Sequence, residues 1–180
     1  PPAPDTPPLS GSATADVALV GGGYGGLLTA ISLAERGLRV ILLEALEIGH
    51  GGSGRNHGQC IPIFRYLDPD RLPAAGFDLL LNAGRRVFDT IERFGIDCEA
   101  VQKGTLTAAY NPRSLALTRA NHAKYARWGK ASPWLDAGGV AELTGNRAFS
   151  GGWFHPDGGH VNPLAYARGL ARAAIGLGVA

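Results

Sequence analysis

Apolar residues fall into two rhythms along this chain, short unbroken runs near the start and helical spacing further on. Val17 to Val20 is an apolar run that leads into Gly21, Gly23 and Gly26, and helix-forming residues follow from Leu27 to Arg36. A second run, Arg39 to Leu43, ends on an acid, Glu44. Short apolar runs bounded by glycine read as buried strands of a parallel sheet, so the pattern predicts strand, glycine turn, helix, strand. From Pro73 to Phe94 the positions Phe77, Leu80, Leu81, Val87, Phe88, Ile91 and Phe94 recur at helical spacing. Arg85, Arg86, Asp89, Glu92 and Arg93 lie on the other faces, and Gly95 supplies a left-handed stop.

Further along, Lys103 to Tyr110 reads as a strand, and Asn111-Pro112 as the cap of a helix from Ser114 to Trp128 closed by Gly129. Gly138 to Thr144 reads as another helix. Phe149 to Phe154 reads as a strand that ends in the turn His155-Pro156-Asp157-Gly158. Asn162 is a natural N-cap with Pro163 at the first helical position. Leu164, Ala167, Ala171, Ala174 and Ile175 then form an apolar face opposite Arg168 and Arg172.

Composition narrows the function classes. With 180 residues and 45% hydrophobic content the chain can bury a core of domain size. Seventeen basic and fifteen acidic side chains leave a net charge of +2, too balanced for a nucleic-acid-binding surface. Cys60 and Cys98 are too few for a disulfide framework, and reduced structural thiols in a cytoplasmic setting are the expectation. The uncharged stretch Val17 to Ala34 has the length of a membrane span, but its glycine cluster breaks it into a strand and a helix, so no membrane segment is expected. Pro1 to Ala15 lacks the charged and apolar regions of a secretory signal and reads as a flexible leader.

The chemistry begins at the glycines. Their spacing is G-x-G-x-x-G, between a strand and a helix, and each has a separate job. Gly21 permits a sharp turn, Gly23 removes a β-carbon that would hold a pyrophosphate off the main chain, and Gly26 lets the helix press on the sheet. The helix N-terminus then offers unpaired N–H groups and a positive dipole end to phosphates. Glu44, at the end of the second strand, can accept hydrogen bonds from both hydroxyls of an adenosine ribose and would repel a 2′-phosphate, which makes NADP unsuitable. A glycine turn used only for packing is the bland alternative. The segment Gly49-His50-Gly51-Gly52-Ser53-Gly54-Arg55-Asn56-His57-Gly58-Gln59 is long for a simple connection and rich in glycine and polar groups. Such a loop can lie close to a large flat ligand, which favours FAD over NAD.

Three pieces, VGGGYGGLLTAISLAERGLRVILLE, IGHGGSGRNHGQ and GGHVNPLAYARGLARAA, resemble the FAD-dependent amine and amino-acid oxidoreductases of the D-amino-acid oxidase and glycine oxidase family. The likeness extends over nearly everything from Asp16 to Gly178. It implies an α/β fold, a Rossmann-type FAD-binding domain with an interleaved α+β substrate domain, of which this chain is the N-terminal portion. Residues 16–96 would form the first segment of the FAD domain, 97–155 part of the substrate domain, and 156–180 the return helix, after a leader of residues 1–15. Family members are more than twice as long, and the chain stops where a strand should begin. The remainder of the enzyme, or a companion chain, is therefore expected to complete it.

The resemblance also implies residue roles. Gly21, Gly23, Tyr24, Gly25 and Gly26 would hold the pyrophosphate, Tyr24 through its backbone N–H more than its side chain, and Glu44 the ribose. Ser53, Gly54 and Arg55 would serve the phosphate and ribityl region, with Asn56, His57, Gly58 and Gln59 near the isoalloxazine ring. Relatives usually carry glycine at the position of His57, and some attach the flavin covalently through histidine or cysteine. His57 is therefore a candidate for a flavin bond or a hydrogen bond to the ring, and a solvated histidine is the plain alternative. Arg65 and Tyr66 are candidates to face the substrate, with ordinary loop residues as the alternative.

The implied reaction oxidises a C–N bond of a small amine or amino acid to an imine, with hydride transfer to flavin and peroxide formation. An NAD-binding dehydrogenase and a non-catalytic nucleotide-binding chain are the competing classes. Other histidines add no chemistry to this reading. His155 and His160 belong to a tight turn rather than a metal site, His50 could approach the phosphates, and His122 beside Lys124 is expected to be exposed. Trp128, Trp134 and Trp153 read as packing residues, not an aromatic cage.

Overall fold

The computed structural model describes residues 1–63, 71–73, 76, 77, 79, 82–130 and 132–180. Arg65, Tyr66, Leu80 and Leu81 lie outside the described residues. The chain divides into two compact units. One comprises Pro1–Gln59, Phe88–Ala100 and His160–Ala180, the other Cys60–Val87 and Val101–Gly159.

In the first unit, strands β1 (Val17–Val20) and β2 (Val40–Leu43) pair in parallel with Val17 opposite Val40. Helix α1 (Tyr24–Ala34) connects them, as the apolar rhythm predicts, and Gly37 at φ +80° turns the chain back after it. At the foot of the pair Asp16 accepts from the Arg39 backbone N–H at 2.8 Å and from its guanidinium at 2.8 Å. These contacts hold the Asp16 carboxyl at about 2.

A short helix α2 (Gly52–Arg55) follows within the glycine-rich segment, and β3 (Gln59–Cys60) after it. Helix α3 (Ala83–Phe94) is amphipathic and ends at Gly95, φ +59°, as expected. The single helix anticipated from Pro73 is interrupted, however. Asn82 is a turn residue whose carbonyl accepts from the Arg86 N–H at 3.2 Å, consistent with asparagine favouring helix starts over helix interiors.

The second unit is built on an antiparallel sheet in the order β4 (Thr105–Ala109), β6 (Gly151–His155), β5 (Trp134–Asp136). Thr105 lies opposite His155, and Trp134 opposite Trp153. The strand Trp134–Asp136 is too short to show an alternation and was not legible beforehand. Helix α4 (Pro112–Arg127) carries a full capping box. The Asn111 side chain accepts from the Ser114 N–H at 2.7 Å, and the Ser114 hydroxyl accepts from the Asn111 N–H at 3.1 Å. Helix α5 (Ala137–Thr144) starts on Asp136 and ends at Gly145, φ +71°.

Trp153, 1% exposed, is the centre of this unit, with the rings of Tyr125 and His155 packed on it at 4.9 and 4.0 Å. His122 is partly buried, not exposed as expected. Its Nε2 lies 2.8 Å from the Ser132 carbonyl, and its ring meets Trp134 and Trp153 edge-on. Trp134 of β5 and Trp153 of β6 face this side of α4, so the imidazole meets rings there rather than open solvent.

Strand β7 (Gly159–His160) leads into α6 (Pro163–Gly176), capped by the Asn162 side chain accepting from the Ala165 N–H at 3.1 Å. Helix α6 packs on α1 and α2 and buries Ala165, Tyr166, Ala167, Leu170, Ala171 and Ala174. Burying a leucine such as Leu170 or Leu27 is worth roughly 1.5–3 kcal/mol. Gly169 is required for close approach, because a β-carbon there would lie 2.2 Å from the Ile96 side chain. After Gly178, φ +85°, the chain turns to the edge of β2 away from β1. There Ala180 donates to the Val40 carbonyl at 3.0 Å and accepts from the Leu42 N–H at 2.7 Å.

Candidate functional site

The glycine turn joins β1 to α1, and the polar groups around it converge from three segments. Gly21 has φ +105°, a conformation that side chains rarely adopt. A β-carbon on Gly26 would sit 2.1 Å from the Gly21 carbonyl oxygen, so the turn closes only with glycine there. Gly23 is the N-cap of α1, and a β-carbon on it would meet the Ser53 hydroxyl at 2.9 Å.

Two backbone N–H groups of the turn are held by side chains distant in sequence. Gly22 donates to Oε2 of Glu44 at 2.7 Å, and Tyr24 donates to Oγ of Ser53 at 3.0 Å. The other Glu44 oxygen accepts from the Leu46 N–H at 3.0 Å. These two amides push the Glu44 pKa below its ordinary value, so the side chain is a carboxylate at neutral pH. A carboxylate has about four acceptor positions, which leaves capacity for a ligand hydroxyl.

Tyr24 engages its side chain as well as its backbone. Its hydroxyl donates to the Pro163 carbonyl at 2.9 Å, and its ring tilts against Tyr166 at 5.2 Å. The phenol therefore reaches from the start of α1 to the start of α6 and fixes the turn from the side.

Within the segment after Glu44, the five glycines separate into two kinds. Gly49, Gly54 and Gly58 are needed by the chain itself. Their β-carbons would come within 2.9 Å of the Ala167 side chain, 2.3 Å of the Gly49 carbonyl and 2.0 Å of the Val161 carbonyl, respectively. Gly51 and Gly52 instead face open space, as does Gly25. Three of the five glycines thus serve packing, and two face open space. Asn56 closes α2 by donating to the Ser53 carbonyl at 2.9 Å and accepting from the Gly58 N–H at 2.7 Å. Arg55 is exposed, its guanidinium 3.2 Å from the His50 ring. His57 and Gln59 are also exposed, and Gly58 is buried.

A cavity of about 390 Å³ opens beside the end of β2, lined by Leu27, Leu43, Glu44, Ile48, Val179 and Ala180 together with part of the leader. Its size falls in the range of small-molecule sites, about 300–1,000 Å³. The residues fit a dinucleotide: open space over Gly25 at the glycine turn, and an ionised acid at the rim of an apolar cavity.

Asp157 pairs with Lys130 at 3.3 Å, and among the described residues no group of three or more histidine, cysteine, aspartate or glutamate side chains could hold a metal ion. Among the described residues, no helix is long and apolar enough to cross a membrane.

Residues 16–180 match the family model described as DAO, FAD dependent oxidoreductase. Gamma-glutamylputrescine oxidoreductase of Escherichia coli (strain K12) is 36% identical over 174 residues, covering 92% of this chain and 40% of that protein. The probable oxidoreductase OrdL of Haemophilus influenzae is 35% identical, covering 96% of this chain and 42% of the relative. Among solved structures, glycine oxidase from Geobacillus kaustophilus superposes with a TM-score of 0.78 at 27% identity, covering 92% of this chain and 45% of that one. The chain thus spans less than half the length of these relatives.

Proposed function

The chain belongs to the DAO family of FAD-dependent oxidoreductases, and from that premise we propose that it carries the cofactor grip of an enzyme that oxidises a C–N bond of an amine or amino acid. The observation that carries the reading is the convergence on one turn of Glu44, from the end of β2, and Ser53, from α2. That arrangement fixes the N-terminus of α1 for a pyrophosphate and leaves an acid beside an adenosine-sized cavity.

In this reading Gly21, Gly23, Tyr24, Gly25 and Gly26 hold the pyrophosphate and Glu44 the ribose. Ser53, Gly54 and Arg55 serve the phosphate and ribityl region. Asn56, His57, Gly58 and Gln59 lie toward the flavin ring, with His57 the candidate for a direct contact. The FAD domain of this reading comprises residues 16–96 and 156–180 and the substrate domain 97–155, although residues 60–87 group with 101–159 in the second compact unit. Held by these residues, FAD would supply the two-electron acceptor for oxidation of the C–N bond to an imine that water hydrolyses, with hydrogen peroxide the proposed product of its reoxidation by oxygen. The chain's own part is to bind and orient, which is where most of the protein's contribution to cofactor chemistry lies.

The names of the relatives support an amine or amino-acid substrate: one is a gamma-glutamylputrescine oxidoreductase, another a glycine oxidase. The remainder of the enzyme, or a companion chain, would supply the rest of the substrate site. A count of two cysteines, too few for a disulfide framework, fits the proposed cytoplasmic setting. The test is spectroscopic and chemical. The full-length protein should carry bound flavin and release peroxide on a panel of amines and amino acids, and a colourless protein that takes up no FAD would refute the reading. Acid precipitation decides the role of His57: flavin left wholly in the supernatant excludes a covalent bond.

A further inference from the structure

We propose that the leader segment Thr6–Leu9 forms the outer wall of the adenosine end of the cofactor site and slows release of FAD. This rests on the functional reading above.

The leader follows a defined path despite its composition. Arg168 donates from Nη1 to the Pro1 carbonyl at 3.1 Å, and Arg172 donates to the Pro2 carbonyl at 3.0 Å. Both arginines stand on α6, and Arg168 is steadied by the Glu47 carboxylate at 3.5 Å. From that anchorage the chain runs to Thr6, Pro7, Pro8 and Leu9, which line the same cavity as Glu44, Ala45 and Ala180.

The segment is a wall and not a plug, because about 390 Å³ stays open with it in place. Its chemistry suits the ligand expected there. Pro7 and Pro8 contribute apolar surface to the cavity wall, and their fixed φ angles reduce the entropy lost on ordering the segment. Leu9 is 56% exposed and has apolar surface left to cover. Among the described residues, two hydrogen bonds from arginine to carbonyl tie the leader to α6, an attachment weak enough for it to swing aside when the cofactor enters or leaves.

The test uses the full-length protein in three forms: unaltered, lacking residues 1–11, and Arg172→Ala. FAD release after dilution is followed by flavin fluorescence, ADP affinity by calorimetry as a probe of the adenosine half alone, and proteolysis at Leu9 with and without ADP. Removing the leader should speed FAD release and weaken ADP about tenfold, a difference of about 1.4 kcal/mol. Arg172→Ala should give an intermediate effect, and ADP should slow cleavage at Leu9. Equal release rates and ADP affinities in all three forms, with cleavage indifferent to ADP, would overturn the proposal while leaving the cofactor reading intact. An unaltered protein that binds neither FAD nor ADP would overturn both. If the shortened form does not fold, Arg172→Ala and the protection by ADP decide the matter.

Discussion

The backbone N–H of Gly22 donates to Oε2 of Glu44 across 2.7 Å, so the acid at the end of one strand locks the turn at the end of its neighbour. Hydrogen bonds to a charged acceptor contribute about 1.5–3 kcal/mol. Glu44→Gln should therefore cost about 1–2 kcal/mol in denaturant unfolding, since the amide keeps one acceptor and loses the charge. The pH dependence has a definite sign. The folded pKa of Glu44 lies below its ordinary 4.5, so its contribution is complete above that value and is lost as pH falls through the folded one. Acid unfolding profiles of the parent and of Glu44→Gln should converge at low pH.

Gly26 and Gly25 are adjacent glycines with opposite constraints. A β-carbon on Gly26 would lie 2.1 Å from a backbone oxygen that cannot move aside, whereas one on Gly25 meets nothing within 4 Å. Gly26→Ala should destabilise by roughly 2–4 kcal/mol. Gly25→Ala should leave stability unchanged or raise it by about 0.5–1 kcal/mol through helix propensity. Thermal unfolding of the two variants checks both.

Tyr24→Phe removes the hydrogen bond to the Pro163 carbonyl and keeps the ring contact with Tyr166. A loss of about 1 kcal/mol is expected. Double-mutant analysis with Tyr166→Leu should show coupling between the two rings of about 0.5–1.5 kcal/mol.

His155 in the second unit is 4% exposed, its Nε2 has no hydrogen-bond partner among the described residues, and burial with the neighbouring His122 lowers its pKa from 6.5 to about 4. The unfolded chain binds the extra proton between those values, so stability should rise with pH from about 4 to 6.5 and be flat above. The upper bound on this change is about 3 kcal/mol. His155→Phe should remove that slope in chemical unfolding measured across the same window.

The glycine turn was legible because its cause is local. Gly21 needs a positive φ and Gly26 needs room at the Gly21 carbonyl, both within one turn of chain, so spacing alone reports them. Helix caps at Asn111 and Asn162 were legible for the same reason. The pairing of Tyr24 with Ser53 spans 29 residues and leaves no periodic trace. Nor could spacing divide the later glycines, because Gly49 and Gly58 answer to Ala167 and Val161, residues met only when α6 folds back. His122 misled for a related reason: its polarity suggested solvent, and the rings that enclose it come from strands beyond the helix.

FAD titration of the full-length apoprotein, unaltered and as Gly23→Ala, bears most directly on the cofactor grip. The new β-carbon would approach the Ser53 hydroxyl at 2.9 Å, a side-chain atom able to rotate away, so the fold should survive while the cradle is disturbed. The expected result is FAD binding at about micromolar or tighter by the unaltered protein, and at least tenfold weaker binding by the variant with an unchanged circular dichroism spectrum. No uptake of FAD by the unaltered protein, or equal affinity in the two, would contradict it.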